Sequence, residues 1–249
     1  MQWLIPLATA VWAVWKWSQD REKDRRVEQE RAYALYITPF LSACEDLQSR
    51  IYNILEREGL CSLRKRYPDG AYAEETLYIM VRFFGWLATM LRYGLNPQDR
   101  QMIQLTESVR EAFSTSKHPV GPFAVFRSEQ RALGKLVMTR FKGQYGIEYD
   151  TISFYEFRSL LGVPPLSESQ SLKQSLDALR TAQDPLSLPG RERLAEAQGH
   201  LVDLLRYQEA RVGLSFFPGE RKKCPRLLER SVPALLESAS APAAGVEVT

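Results

Sequence analysis

Three charged side chains stand out against apolar surroundings: Glu75 and Arg82, seven residues apart in a largely apolar stretch, and Glu129 in a later helix-patterned one. A weakly polar pocket beside Arg82 would make these three the working residues of a ligand-sensing or hydrolytic domain. A second set is basic. Arg64, Lys65 and Arg66 lie in a connector and Arg221, Lys222 and Lys223 near the C-terminal end. Such cations attract anionic headgroups, each worth about 1 kcal/mol near an anionic leaflet. The first run has no interleaved aromatics and the net charge of the chain is only +3, so nucleic acid is not an expected partner. Cys61 lies close to the first cluster, whose charges would lower a thiol pKa, but no general base or resolving cysteine is near it in sequence. The two histidines, His118 and His200, fall in no recognisable constellation. There is no Walker loop, dinucleotide fingerprint, HExxH, GxSxG, CxxC or aspartate pair at metal-binding spacing. The sequence therefore assigns no catalytic residue, no cofactor and no metal ligand.

These residues need a scaffold, and the composition supplies an ordinary one. With 249 residues, 45% hydrophobic and 25% charged, the chain has material for one large domain plus tails. Three widely spaced cysteines, Cys44, Cys61 and Cys224, form neither a disulfide framework nor a metal pattern and suit a reducing compartment.

The hydrophobic periodicity predicts an all-α chain in five parts. Residues 1–17 carry no charge from Trp3 to Trp15 and gather Trp12, Trp15 and Trp17 at the polar end, which predicts a membrane-anchor helix with an interfacial aromatic belt. No basic residue precedes the run, and Lys16, Arg21, Lys23, Arg25, Arg26 and Arg31 follow it. With no basic region before the run and no small-x-small cleavage site after it, a secretory signal is not expected, and the expectation is a single-pass inner-membrane protein whose body faces the cytoplasm. Residues 18–37 form a charged helical stalk, with Glu22 and Arg26 at pairing distance.

Residues 38–165 read as the helical core. Thr38-Pro39 opens a helix with Phe40, Cys44, Leu47, Ile51 and Leu55 on one face and Gly59 at its end. A basic connector with the turn Tyr67-Pro-Asp-Gly70 leads to residues 72–93, apolar nearly all round and hence central; Arg82 in its middle disfavours a second membrane span. Asn96-Pro97 starts the next helix, residues 128–141 a further one, and residues 143–149 a turn or short strand pair. Gly85 beside Trp86 marks a close-packing point, and Ser153-Phe-Tyr-Glu156 is a capping box. Residues 166–217, more polar, are expected as a helical hairpin appended to the core, and residues 218–249 as a disordered basic, then Ala/Ser/Pro-rich tail.

Three stretches carry a likeness: Asp46-Leu-Gln-Ser-Arg-Ile-Tyr-Asn-Ile-Leu55, Phe84-Gly-Trp86 and Glu129-Gln-Arg-Ala-Leu-Gly134. Over residues 36–161 the chain resembles a set of uncharacterised bacterial proteins, cyanobacterial ones among them, with an N-terminal hydrophobic segment and a helical domain. The resemblance implies bacterial origin and an anchor-plus-domain plan, and it brings no functional residue. The leading functional expectation is a membrane-tethered scaffold that holds a protein partner through the Glu129-Gln130-Arg131 helix and the Arg64 to Arg66 connector. The alternatives are the Arg82 pocket and a peripheral protein binding anionic lipid through its two basic runs.

Overall fold

A computed structural model of the chain describes residues 4–57, 59–67, 69–94, 98–213 and 221–225, with side chains at all of these except 4–11, 13, 14 and 61–64. The chain is mostly helical, as its periodicity predicts. α1 (Leu4–Ala32) passes without a break through a π-helical segment, Tyr33–Ile37, into α2 (Thr38–Glu56). The expected new start at Thr38-Pro39 is therefore corrected. Proline lacks the N–H that a helix interior needs and crowds the carbonyl four residues back. The helix accommodates it by widening: the Thr38 N–H reaches five residues back to the Tyr33 carbonyl, which also accepts from Thr38 Oγ1 at 3.3 Å.

Gly59 does not cap α2 but opens α3 (Gly59–Arg66), which replaces the expected connector. α4 (Ala71–Thr89) begins after Gly70, held at φ 78°, and ends in a second π segment, Met90–Gly94. Leu77, Met80, Val81, Phe83, Phe84, Trp86 and Leu87 are all 3% exposed or less. α4 is central: α2 packs on it, as do α6 (Arg127–Val137), α7 (Phe154–Leu160) and α8 (Gln170–Thr181). Where α4 meets α6 the backbones nearly touch. A Cβ added to Gly134 would lie 2.6 Å from the Gly85 nitrogen and from the Phe84 carbonyl carbon.

The helix expected to reach Phe141 stops at Val137, and Met138–Gly143 (β1) pairs antiparallel with Gly146–Thr151 (β2). The helical character holds, and the short strand pair expected at 143–149 begins earlier, at Met138. Glycines at both flanks of the two-residue turn, with Gly146 at φ 105°, make the tight reversal possible. Tyr78 of α4 donates to the Ile152 carbonyl at 2.6 Å, tying the hairpin's exit to the core. α7 begins with the expected capping box, the Ser153 N–H donating to Glu156 at 2.7 Å.

The largest departure concerns the C-terminal helices. α8 packs on α4, whereas α9 (Arg191–Val212) packs on α2 and on α5 (Arg100–Ser114). They are not an appended hairpin. Leu194, Ala197, Leu201, Val202, Leu204 and Leu205 of α9 are 3% exposed or less, and so is Arg193, at 1%. The Arg193 guanidinium donates to the carbonyls of Ala112 and Phe113 at 3.0 Å, Thr115 at 3.0 Å, His118 at 3.3 Å and Pro119 at 3.4 Å. It thereby satisfies carbonyls at the end of α5, where a cation is also favoured by the helix dipole. The tail does not begin as expected at residue 218 throughout, because Arg221 to Pro225 is docked. Gln198, fully buried, accepts from the Cys224 N–H and donates to the Lys222 carbonyl, both at 2.9 Å. Residues 226–249 of the expected tail, and the Asn96-Pro97 helix start, lie outside the described residues; α5 is instead capped by Asp99, which accepts from the Met102 N–H at 3.0 Å.

Three substitutions test this packing by urea denaturation. Gly134→Ala should cost about 3 kcal/mol because only backbone faces the new methyl. Gly162→Ala, with open space around it, should change stability by less than ~0.5 kcal/mol; equal effects would refute the close crossing. Arg193→Met should cost about 4 kcal/mol by leaving several buried carbonyls unpaired, and a loss below ~1 kcal/mol would show that these bonds do not hold α9 in place.

Candidate functional site

The residues singled out from sequence do not converge. Arg82 pairs with Asp46 of α2 at 2.6 Å, and Glu75 with Arg50 at 2.7 Å. Glu129 accepts from Ser169 Oγ at 2.8 Å and Ser171 Oγ at 2.6 Å. Each charge is spent on a separate helix-to-helix contact, so the three do not form one site. In the expected contact helix Gln130 is 2% exposed and donates to the carbonyls of Arg110 and Val125, while Arg131 is exposed.

The basic runs are also divided. Arg221 is buried between Glu45, at 2.7 Å, and Glu209, which removes it from any lipid contact. Lys223 pairs with Asp203 at 2.7 Å, and Lys222 is exposed. Lys65 and Arg66 are exposed, while the Arg64 and Cys61 side chains lie outside the described ones. Of the thiols that are described, Cys44 and Cys224 are buried. Burial, reinforced by the neighbouring Glu45, pushes the Cys44 thiol well above its usual value, which makes it a poor nucleophile.

The histidines do meet something. His118 Nε2 lies 2.6 Å from Glu196 Oε2, and His200 Nε2 lies 3.9 Å from Glu196 Oε1. α9 sets Glu196 and His200 one turn apart, and Arg193 pins the loop that brings His118 to them. Among the described residues no three His, Cys, Asp or Glu side chains gather as a metal site.

Polar groups converge instead where the two π segments meet, at the root of α1. There a cleft of about 360 Å³ is lined by Arg25, Glu28, Gln29 and Tyr33 of the stalk, Tyr93 and Gly94 of the second π segment, and Ile37, Asp99, Met102, Gln208 and Arg211 of the body. Asp99 organises one wall. Besides capping α5 it accepts from Tyr207 Oη at 2.7 Å and pairs with Arg211. Its hydrogen bond, more than burial, pushes the Tyr207 phenol up. Burial pushes the Tyr33 phenol up as well, against the pull of Arg211.

Beside the cleft, Tyr36 stacks on Tyr93 at 5.6 Å and Tyr93 on Tyr149 of β2 at 5.4 Å, with the Tyr149 hydroxyl donating to that of Tyr93 at 3.1 Å. Gly94 permits this, because a Cβ there would come within 2.7 Å of Tyr36 Cβ. Sequence reasoning missed the cleft because its walls come from five segments with no common spacing. The one available signal was Asp99, an N-cap type placed three residues before an apolar face. No family model, no curated protein and no solved structure matches the chain.

The thiol environment makes a direct prediction. In native protein Cys44 and Cys224 should resist iodoacetamide for hours at pH 8, as read by peptide mass mapping, and react within minutes in urea. Native alkylation of Cys44 at the unfolded rate would contradict its burial.

Proposed function

We propose that this protein is a membrane-attached helical binding domain, held at the cytoplasmic face of a bacterial inner membrane by α1. The observation that carries this reading is that α1 stands away from the body with its indoles bare. Trp12, Trp15 and Trp17 are 58%, 60% and 58% exposed, and from Trp15 to Arg31 every residue but Glu22 is exposed. Three uncovered indoles within six residues mark a surface that meets something apolar, and indoles favour the headgroup zone.

Among the described residues no helix is long and apolar enough to cross a membrane. The expected single-pass span therefore finds no support in α1 as described. The uncharged run of the sequence, residues 1–15, is shorter than the roughly 20 residues that span a hydrocarbon core of about 30 Å. That length suits entry into one leaflet with the tryptophans at the headgroups. Residues 18–31 then form a hydrated spacer about 20 Å long, stiffened by pairs such as Glu22 with Arg26 at 2.8 Å. The basic residues after Trp15 favour the cytoplasmic side, and the anchor-plus-domain plan of the bacterial proteins it resembles agrees. The body is then free to engage a protein or small-molecule partner at a fixed distance from the bilayer.

Flotation of the full chain with phosphatidylethanolamine/phosphatidylglycerol vesicles tests this. The protein should rise with the vesicles, stay bound in high salt and show blue-shifted tryptophan emission. Trp12→Ser/Trp15→Ser/Trp17→Ser should lose at least about tenfold in partitioning, since each indole contributes of the order of 1 kcal/mol or more. Release of the wild type by salt alone would overturn the reading.

A further inference from the structure

The cleft at the stalk root contains unused hydrogen-bonding capacity. Gln208 is 1% exposed, yet its Oε1 has no hydrogen-bond partner among the described residues, and neither does the buried hydroxyl of Tyr33. The other end of the Gln208 amide is only weakly engaged, its Nε2 lying 2.9 Å from Met102 Sδ, a poor acceptor. A buried amide oxygen without a donor is destabilising, so such a group in a native fold calls for an explanation. Both residues line the cleft, with the two oxygens themselves buried in its wall. The two π segments that frame it are a local geometry often found at functional sites.

The charges around the cleft define what it takes. Arg25 and Arg211 are balanced by Glu28 and Asp99, and Arg211 and Asp99 already pair with each other. An ionic ligand would meet a like charge as readily as an opposite one, and a neutral ligand meets neither penalty. Ile37 and Met102 supply an apolar floor, and the volume lies at the small end of the range for small-molecule sites. We infer that the cleft binds a neutral, compact molecule carrying an N–H donor, a primary amide or N–H heterocycle, whose N–H reaches Gln208 Oε1, whose second polar group meets Tyr33 Oη and whose ring lies on Ile37 and Met102. Because Tyr33 belongs to the stalk and Gln208 to α9, an occupant ties the stalk to the body. The inference goes beyond membrane attachment and does not depend on it.

Benzamide is a suitable probe and N,N-dimethylbenzamide, which lacks N–H donors, its control. With the full chain kept soluble in detergent, benzamide should bind with a Kd of about a few millimolar, the range for so few atoms. It should shift backbone amide resonances near Gln29 to Ile37 and near Gln208, and the dimethyl compound should bind at least about tenfold more weakly, as expected when a buried acceptor is left unpaired. Gln208→Leu should melt no lower than wild type, because it removes an unpaired buried amide, while losing the preference between the two probes. Tyr33→Phe, a smaller change, should weaken benzamide several-fold with the fold intact. Absence of benzamide binding at about 20 mM, equal binding of both probes, or an undiminished preference in Gln208→Leu would each overturn the proposal. None of these readings involves a vesicle, so they stand apart from the flotation result.

Discussion

The antiparallel clasp between α5 and α9 is the constraint on which the rest of the body depends. At one end the Arg193 guanidinium gathers the last carbonyls of α5 and those of the loop beyond it. At the other end Asp99, the N-cap of α5, takes the Tyr207 hydroxyl and pairs with Arg211. The orphan carbonyls at the end of α5 are met by Arg193 of α9, and the N–H groups at its start by Asp99, which Tyr207 and Arg211 of α9 engage in turn. The pairing is held in register by electrostatics at its ends and by Val109, Phe113, Leu201 and Leu205 between them.

From that clasp the remaining geometry follows. α9 also packs on α2, and the π segment above α2 comes to the Asp99 end. There the stalk leaves the body and the cleft opens, bounded by helix ends and two widened turns. A polar cleft at the junction of a projecting helix and a fixed core is a place where an occupant can restrict how the two are disposed. The other side of α4 is closed by the Gly85 and Gly134 crossing and by Glu74, which takes Arg158 at 2.7 Å and Arg180 at 2.8 Å to tie α7 and α8 to the core.

Much of this interior is polar, and that explains which parts of the site were legible. Arg82, Glu75 and Glu129 attract notice because they interrupt apolar stretches, yet each has a partner at hydrogen-bonding distance and does structural work. Gln208 and Asp99 sit in segments rich in polar residues and Tyr33 among apolar ones that match it, so none attracts notice. Burial of a polar side chain is a property of what surrounds it, and a one-dimensional pattern registers only contrast with immediate neighbours. The same blindness hid the docked segment at Arg221 to Pro225, whose anchors Gln198, Glu45 and Glu209 are more than ten residues away in sequence.

Local chemistry settled a good deal without the fold. The apolar stripe of α2, the all-round hydrophobicity of α4, the Ser153 capping box and the close-packing role of Gly85 rest on side-chain period, cap stereochemistry or backbone bulk, which neighbouring residues dictate. The exposed, charge-alternating stalk was equally readable, because nothing apolar in it asks to be covered. Only the tertiary structure decided that α1 and α2 are one helix through Pro39, that Met138 begins a strand, and that α9 lies in the core. Each of these turns on a long-range competition: a π turn that rescues a proline, a partner strand that outbids helix propensity, or a carbonyl array that makes burying Arg193 favourable. The cleft belongs to the same class, since it exists only where helix ends from distant parts of the chain meet.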